Sequence, residues 1–219
     1  MDYGVYFVTQ GDLAGSRSSV DVVRAAVAGG VDVVQLREKH ASARERYDLG
    51  REVRAVTREA GVPLVVNDRV DLAAAIDADG VHLGDDDLPV AVARDRLGAD
   101  ALVGRSVSTV DGAREAAAAG ADYLGVGAVY RTATKDTDPD QSEVGLDRVR
   151  AIRAAVDVPF VGIGGVTAES AAAVVAAGAD GVAVVSEIAA ADDPEAATRE
   201  LHEAVADGRR RRADSGERR

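Results

Sequence analysis

The chain has no cysteine and no tryptophan, and only two phenylalanines among its 219 residues. Without thiols, neither disulfides nor thiolate metal sites can form. With so few large aromatics, the core must be built mainly from Ala, Val, Leu and Ile, and a hydrophobic content of 47% is ample for one. Lysine is scarce as well: Lys39 and Lys135 are the only two among 26 basic residues, and the rest are arginine. No apolar run reaches the length of a membrane-spanning helix. The opening MDYGVYFVTQ has no basic segment followed by an apolar one, so no signal peptide is expected. These absences point to a soluble, cytoplasmic protein.

Positive charge is also short, with a formal net charge of -12. The end of the chain, GRRRRADSGERR (208–219), carries six Arg against one Asp and one Glu, so residues 1–207 carry about -16 (-12 minus +4). Such acidity argues against a nucleic-acid surface on the body of the protein. Acids at this density suggest an acidic, halophilic proteome, although high-GC codon usage accounts for the arginine excess equally well. The expected organisation is one domain at 1–207 and a basic, disordered, solvated tail at 208–219.

A phrase recurs: AVAGGVDVVQL (26–36), AAIDADGVHLG (74–84), AAAAGADYLGVG (116–127) and VVAAGADGVAVV (174–185). Each time an Ala-rich helical pattern ends near Gly or Asp and a short, almost continuously apolar run follows. Such runs suit strands buried on both faces of a parallel sheet. Counting all of them gives eight strands, near 5–9, 31–37, 63–68, 80–84, 102–106, 123–127, 159–164 and 181–186. Helical segments follow near 19–28, 42–60, 69–76, 88–97, 111–119, 145–155, 167–177 and 194–206, with start signals such as Thr167 and Asp193-Pro194. Eight alternating units predict a single α/β domain, a (β/α)8 barrel. An open doubly wound sheet is the rival, but it usually has fewer strands.

In such a barrel the chemistry lies at the C-terminal strand ends. Gln35, Arg37 and Lys39 end the second strand, and their alternation is expected to aim all three at the mouth as an anion site. Asn67-Asp68 end the third strand, and His82 with GDDD (84–87) the fourth. Asp68 and Asp87, from adjacent strands, can converge as an Mg²⁺ pair completed by water and phosphate oxygens. Asp85 and Asp86 read better as solvated or helix-start acids. His82 is open between a structural and a catalytic role. Ser106 ends the fifth strand. GIGG (162–165) with Ser186 and a short helix near 186–190 matches the phosphate geometry of this fold. A long polar loop from about 128 to 143 carries Thr132, Thr134 and Lys135.

The segments VVQLREK (33–39), VVNDRVDLA (65–73), DGVHLGDDDLP (79–89), VGRSVST (103–109), YLGVGAVYRTATKD (123–136), FVGIGGVT (160–167) and ADGVAVVSEI (179–188) together resemble the thiamine phosphate synthase family. They occur in the family's order and span nearly the whole chain except its basic end. The resemblance implies a transferase that condenses 4-amino-5-hydroxymethyl-2-methylpyrimidine diphosphate with a thiazole phosphate, using Mg²⁺ and releasing pyrophosphate. It places Gln35, Arg37, Glu38, Lys39 and Asn67 on the pyrimidine diphosphate, and Asp68 and Asp87 on Mg²⁺. Ser106 faces the pyrimidine and Lys135 the pyrophosphate, while Thr132, Thr134, Gly165, Val185 and Ser186 hold the thiazole phosphate. Arg37, Lys39, Ser106 and Lys135 form the implied catalytic set. Two departures stand near the metal site: Asp85 where the family commonly has glutamine, and Arg105 where a small apolar residue is usual.

The implied partners are two small molecules, with neither nucleic acid nor membrane, and homo-oligomerisation is left open. Lysine's compact head suits a diphosphate that must be followed as it departs, which offers a reason why two lysines persist among arginines. The rivals are an isomerase of the same fold acting on the thiazole phosphate, and a non-catalytic binder of thiamine phosphates. A generic phosphate barrel, such as an aldolase, has no use for the QxRxK pattern, and the intact acidic pair speaks against a binder.

Overall fold

Val-, Leu- and Ile-rich runs of four to six residues form the strands of the computed structural model, which describes residues 1–132 and 144–216. They are β1 (Val5–Val8), β2 (Val33–Leu36), β3 (Leu64–Asn67), β4 (Gly80–Leu83), β5 (Leu102–Val107), β6 (Tyr123–Gly127), β7 (Phe160–Ile163) and β8 (Gly181–Val184). The helices are α1 (Ser19–Ala28), α2 (Ala43–Ala60), α3 (Val70–Ala75), α4 (Val90–Leu97), α5 (Val110–Ala118), α6 (Gly145–Ala155), α7 (Ala168–Ala176), α8 (Ser186–Ala189) and α9 (Pro194–Gly216). Sequential strands pair in parallel and β8 returns to β1, so the barrel closes. The expected (β/α)8 architecture is the observed one. Among the described residues, no helix is long and apolar enough to cross a membrane.

Alternation along each strand separates two cores. Val5, Phe7, Val34, Leu36, Val66, Val81 and Leu83 belong to the cluster packed under the helices. Tyr6, Val8, Val33, Val65, Tyr123, Val161 and Ala183 form a second cluster inside the barrel. Inward glycine at 104 makes room for Tyr123, since a Cβ there would sit 2.2 Å from the ring. Local signals set the helix ends. Ser42 and Glu45 cap α2 reciprocally, and Asp193 accepts the Ala196 N–H at 3.0 Å at the start of α9.

The recurring phrase has a physical cause. In each copy an aspartate stands just before an even-numbered strand, and its carboxylate accepts an N–H at the start of the preceding strand. Asp32 takes Val5 N–H at 2.8 Å, Asp79 takes Leu64 N–H at 2.7 Å, Asp122 takes Val103 N–H at 2.7 Å and Asp180 takes Phe160 N–H at 3.0 Å. An arginine from the helix before the preceding strand completes three of these staples. Arg54 of α2 grips Asp79 at 2.6 and 3.0 Å, Arg94 of α4 reaches Asp122 at 2.6 Å, and Arg153 of α6 reaches Asp180 at 3.2 Å. The fourth differs: Arg209 of α9 lies close enough to act on Asp32 but donates to Asp2, at 2.5 and 3.1 Å.

Arg209 lies in the segment expected to be a disordered tail. That boundary is corrected, because α9 runs through it to Gly216. Arg209 and Arg212 donate to the carbonyls of Asp180 and Ala179, at 2.9 and 3.1 Å. Gly208 is buried where α9 meets α7, and a Cβ there would stand 2.6 Å from the Ala172 carbonyl oxygen. Gly208 is thus a close-approach glycine within the helix.

Candidate active site

The mouth has a charged side over β2–β4. Asn67 ends β3 on an inward-facing position, in register with His82 of β4. Asp68 follows in the left-handed region, at φ 63°, with its N–H bonded to the His82 carbonyl at 2.9 Å. Aspartate tolerates that conformation better than most residues. Its carboxyl is pushed up to about 6, first by burial and then by the hydrogen bond and negative charge of Asp87, with Lys39 and Arg37 pulling the other way. Four expected residues therefore converge. The Asp87 carboxylate is aimed by Gly84, whose N–H it accepts at 2.6 Å.

Two carboxylates with only oxygen donors suit a hard cation. Among the described residues, no group of three or more His, Cys, Asp or Glu forms a metal cage. An ion such as Mg²⁺ keeps water and takes phosphate oxygens, so two carboxylates are enough protein ligands for it. The donor set fits.

The row expected from Gln35, Arg37 and Lys39 is corrected in its geometry. β2 ends at Leu36, and Lys39 stands in the turn beyond it, so the alternation does not persist. Gln35 lies below the mouth, 4% exposed, with Nε2 donating to Tyr6 Oη at 2.7 Å. Arg37 is steered by the end of β1: Thr9 Oγ1 accepts its N–H at 3.0 Å, and Gln10 Oε1 accepts from its guanidinium at 3.3 Å. Glu38, expected on the diphosphate side, acts as a brace here. Its two oxygens take the Gly11 N–H at 2.9 Å and the Ser19 hydroxyl at 2.8 Å, fastening the loop after β1.

The two departures turn out to be partners. Arg105 faces outward from β5, donates to the Gly84 carbonyl and reaches Asp85 at 3.1 Å. Asp85 is thus held on the loop that carries Asp87. Asp86 is exposed, as expected.

The opposite side, over β6–β8, is built by glycine. Gly164 and Gly165 take φ 95° and 63°. A Cβ at 165 would stand 2.5 Å from the Arg131 carbonyl oxygen, and one at 164 would stand 2.6 Å from Ala128 Cβ. Only glycine fits a turn so close to the chain leaving β6. Val185 precedes α8, and Ser186 opens it, as expected. Glu187 ties α8 to α7 by accepting the Ala168 N–H at 2.9 Å. Thr132 is half-buried beyond β6. Thr134 and Lys135 lie outside the described residues.

Between the two sides lies a set that sequence reasoning missed in part. Tyr6 and Tyr123 hydroxyls are 2.8 Å apart, Tyr123 Oη is 3.0 Å from His82 Nδ1, and His82 Nε2 is 3.0 Å from Ser106 Oγ. Burial pushes both tyrosine hydroxyls well above the usual phenol range, so both keep their protons. The available signal was rarity: two of only five tyrosines stand on inward strand positions.

A barrel mouth with cations over a carboxylate pair on one side and a glycine turn on the other belongs to the phosphate-handling (β/α)8 class. The family model described as "Thiamine monophosphate synthase" matches residues 5–188. The chain belongs to that family. It is 70% identical over 204 residues to the thiamine-phosphate synthase of Natronomonas pharaonis, covering 93% of this chain and 95% of the relative. The thiamine-phosphate synthase of Haloarcula marismortui is 65% identical over 210 residues, covering 95% and 100%. Among solved structures, the thiamine phosphate pyrophosphorylase from Pyrococcus furiosus superposes with a TM-score of 0.86 at 39% identity, over 94% of this chain and 96% of that one.

Proposed function

We propose that the protein is a cytoplasmic transferase that condenses 4-amino-5-hydroxymethyl-2-methylpyrimidine diphosphate with a thiazole phosphate, giving thiamine phosphate and pyrophosphate. One observation carries the reading: Arg37 and Lys39 stand near enough to act on Asp68, which in turn bonds Asp87. Cations for a diphosphate and acids for its counter-ion meet on one side of the mouth, while a glycine turn suited to a monophosphate occupies the other. Relatives named thiamine-phosphate synthase, alike over nearly the whole chain, support it.

In this reaction the C–O bond of the pyrimidine methylene breaks and its electron pair leaves with pyrophosphate. The thiazole nitrogen gives its lone pair to the same carbon, forming the C–N bond, and no proton need move. Held by Asp68 and Asp87, Mg²⁺ would offset the charge of the leaving group. Arg37 orients the diphosphate with Asn67, and Lys39 and Lys135 neutralise charge as it builds. The aminopyrimidine ring delocalises the positive charge on its methylene. The Gly165 amide, Ser186, Val185, Thr132 and Thr134 anchor the thiazole phosphate, which keeps the nitrogen in attacking range. Such a route needs no protein nucleophile.

The test incubates purified protein with both substrates and Mg²⁺ in high salt, and reads thiamine phosphate by fluorescence after oxidation. Product that disappears with EDTA and in Asp68→Ala is the expected result. Thiazole phosphate that binds without product forming would favour the isomerase or the non-catalytic binder.

A further inference from the structure

Gln35, Tyr6, Tyr123, His82 and Ser106 come from five different strands and join into one chain of hydrogen bonds across the barrel interior. The successive separations are 2.7, 2.8, 3.0 and 3.0 Å. Three of these bonds are buried, and the fourth ends at half-buried Ser106. Room for the chain is provided on purpose-shaped strands. A Cβ at 104 would collide with Tyr123, and one at 125 would press on the His82 ring at 3.1 Å.

Each hydroxyl has one proton to give, so a direction set at one end propagates to the other. An amide nitrogen can only donate, and Gln35 Nε2 donates to Tyr6. In the arrangement that leaves no hydroxyl proton unpaired, Tyr6 gives its proton to Tyr123, and Tyr123 gives its own to His82 Nδ1. Nδ1 is therefore an acceptor, and the proton of the neutral ring stands on Nε2, facing Ser106.

We propose that this one-way chain fixes His82 as the neutral Nε2–H tautomer and makes Ser106 Oγ an acceptor from it, so that the Ser106 proton is aimed at the mouth. His82 is then a positioning residue, and Ser106 is a donor of fixed direction. The ligand atom facing Ser106 must be an acceptor. Given the function proposed above, that selects a ring nitrogen of the aminopyrimidine over its exocyclic amine.

The first measurement needs no substrate, so its outcome is independent of the proposed reaction. Imidazole ¹⁵N shifts are recorded near neutral pH on histidine-labelled protein, with His40→Gln and His202→Gln assigning the three rings. A protonated Nε2 with unprotonated Nδ1 on His82 is expected. A protonated Nδ1, an even mixture or an imidazolium overturns the proposal. Tyr123→Phe removes the donor to Nδ1 at nearly constant volume, and Tyr6→Phe breaks the chain one link earlier should the first variant fold poorly. Either should move the His82 shifts toward a mixture of tautomers and lower kcat about tenfold, with KM for the thiazole phosphate unchanged. A variant that melts earlier but leaves the His82 shifts in place would mean that the tyrosines only fill space.

Discussion

At Asp68, burial, like charge and an uncommon backbone conformation meet in one residue. Its carboxyl titrates near 3.8 in the unfolded chain and at about 6 in the folded one, so folding takes up a proton between those values. The contribution of this group favours the fold below about pH 4 and is lost as pH rises through about 6. Above that, the bare protein holds a repelling pair that a divalent cation relieves. Mg²⁺ should therefore raise the melting temperature at pH 7.5 and do so much less at pH 5. Asp68→Asn should lose the Mg²⁺ response at both values and, without the ion, melt above the wild type at pH 7.5. Scanning calorimetry with and without Mg²⁺ reads all of these; equal Mg²⁺ shifts at both pH values would remove the ion from this pair. Asp68 and Asp87 were legible in the sequence because strand order alone brings β3 and β4 together. Glu38 was not, since nothing in VVQLREK shows that its carboxylate turns back to Gly11 and Ser19. Tyr6 and Tyr123 were missed because their role depends on partners far apart in the chain.

At the scale of elements, the strands were legible to within two residues, because continuous β-branched runs between Gly, Asp and Pro leave little choice of boundary. The end of α9 was not. Its last turns are arginine-rich and read as solvated, whereas carbonyls at the foot of β8 take two of those guanidinium groups. The Arg105–Asp85 contact is another case in which two odd residues explain each other only once β5 lies beside β4. The pair is unevenly exposed, 23% and 84%, so its value to global stability is at most about 1 kcal/mol. Its effect belongs to the loop that presents Asp87. Arg105→Ala should weaken Mg²⁺ binding about three- to fivefold by calorimetric titration, with the melting temperature nearly unchanged. Asp85→Ala should give a smaller loss, because the Gly84 carbonyl contact remains. The double variant should be no worse than Arg105→Ala alone. Additive losses would mean that the two side chains act separately.

For the whole molecule, the four aspartate staples tie strand to strand around the base of the barrel, and their uneven completion predicts uneven costs. Asp79 and Asp122 each join a backbone N–H and an arginine, so replacement by asparagine should cost about 2 kcal/mol in chemical denaturation at fixed salt. Asp32 has no such clamp, and burial with the nearby charge of Asp2 holds its carboxyl above the usual range. Asp32→Asn keeps an acceptor for Val5 and sheds that strain, and should cost under about 1 kcal/mol. Away from the staples, the same acidity acts as a load. With a net charge of -12, most of the excess acid lies on exposed faces, where it repels itself across the surface. Salt at 1 M shortens the screening length to about 3 Å, below the spacing of most such charges. The melting temperature should therefore climb steadily from 0.1 to 2 M KCl, as suits a chain some of whose relatives come from halophilic archaea. Codon drift that swaps lysine for arginine leaves the net charge and this climb unchanged. A flat response would mean that the surface acids are spaced or paired so that they do not load the fold, and a rising one that their mutual repulsion does.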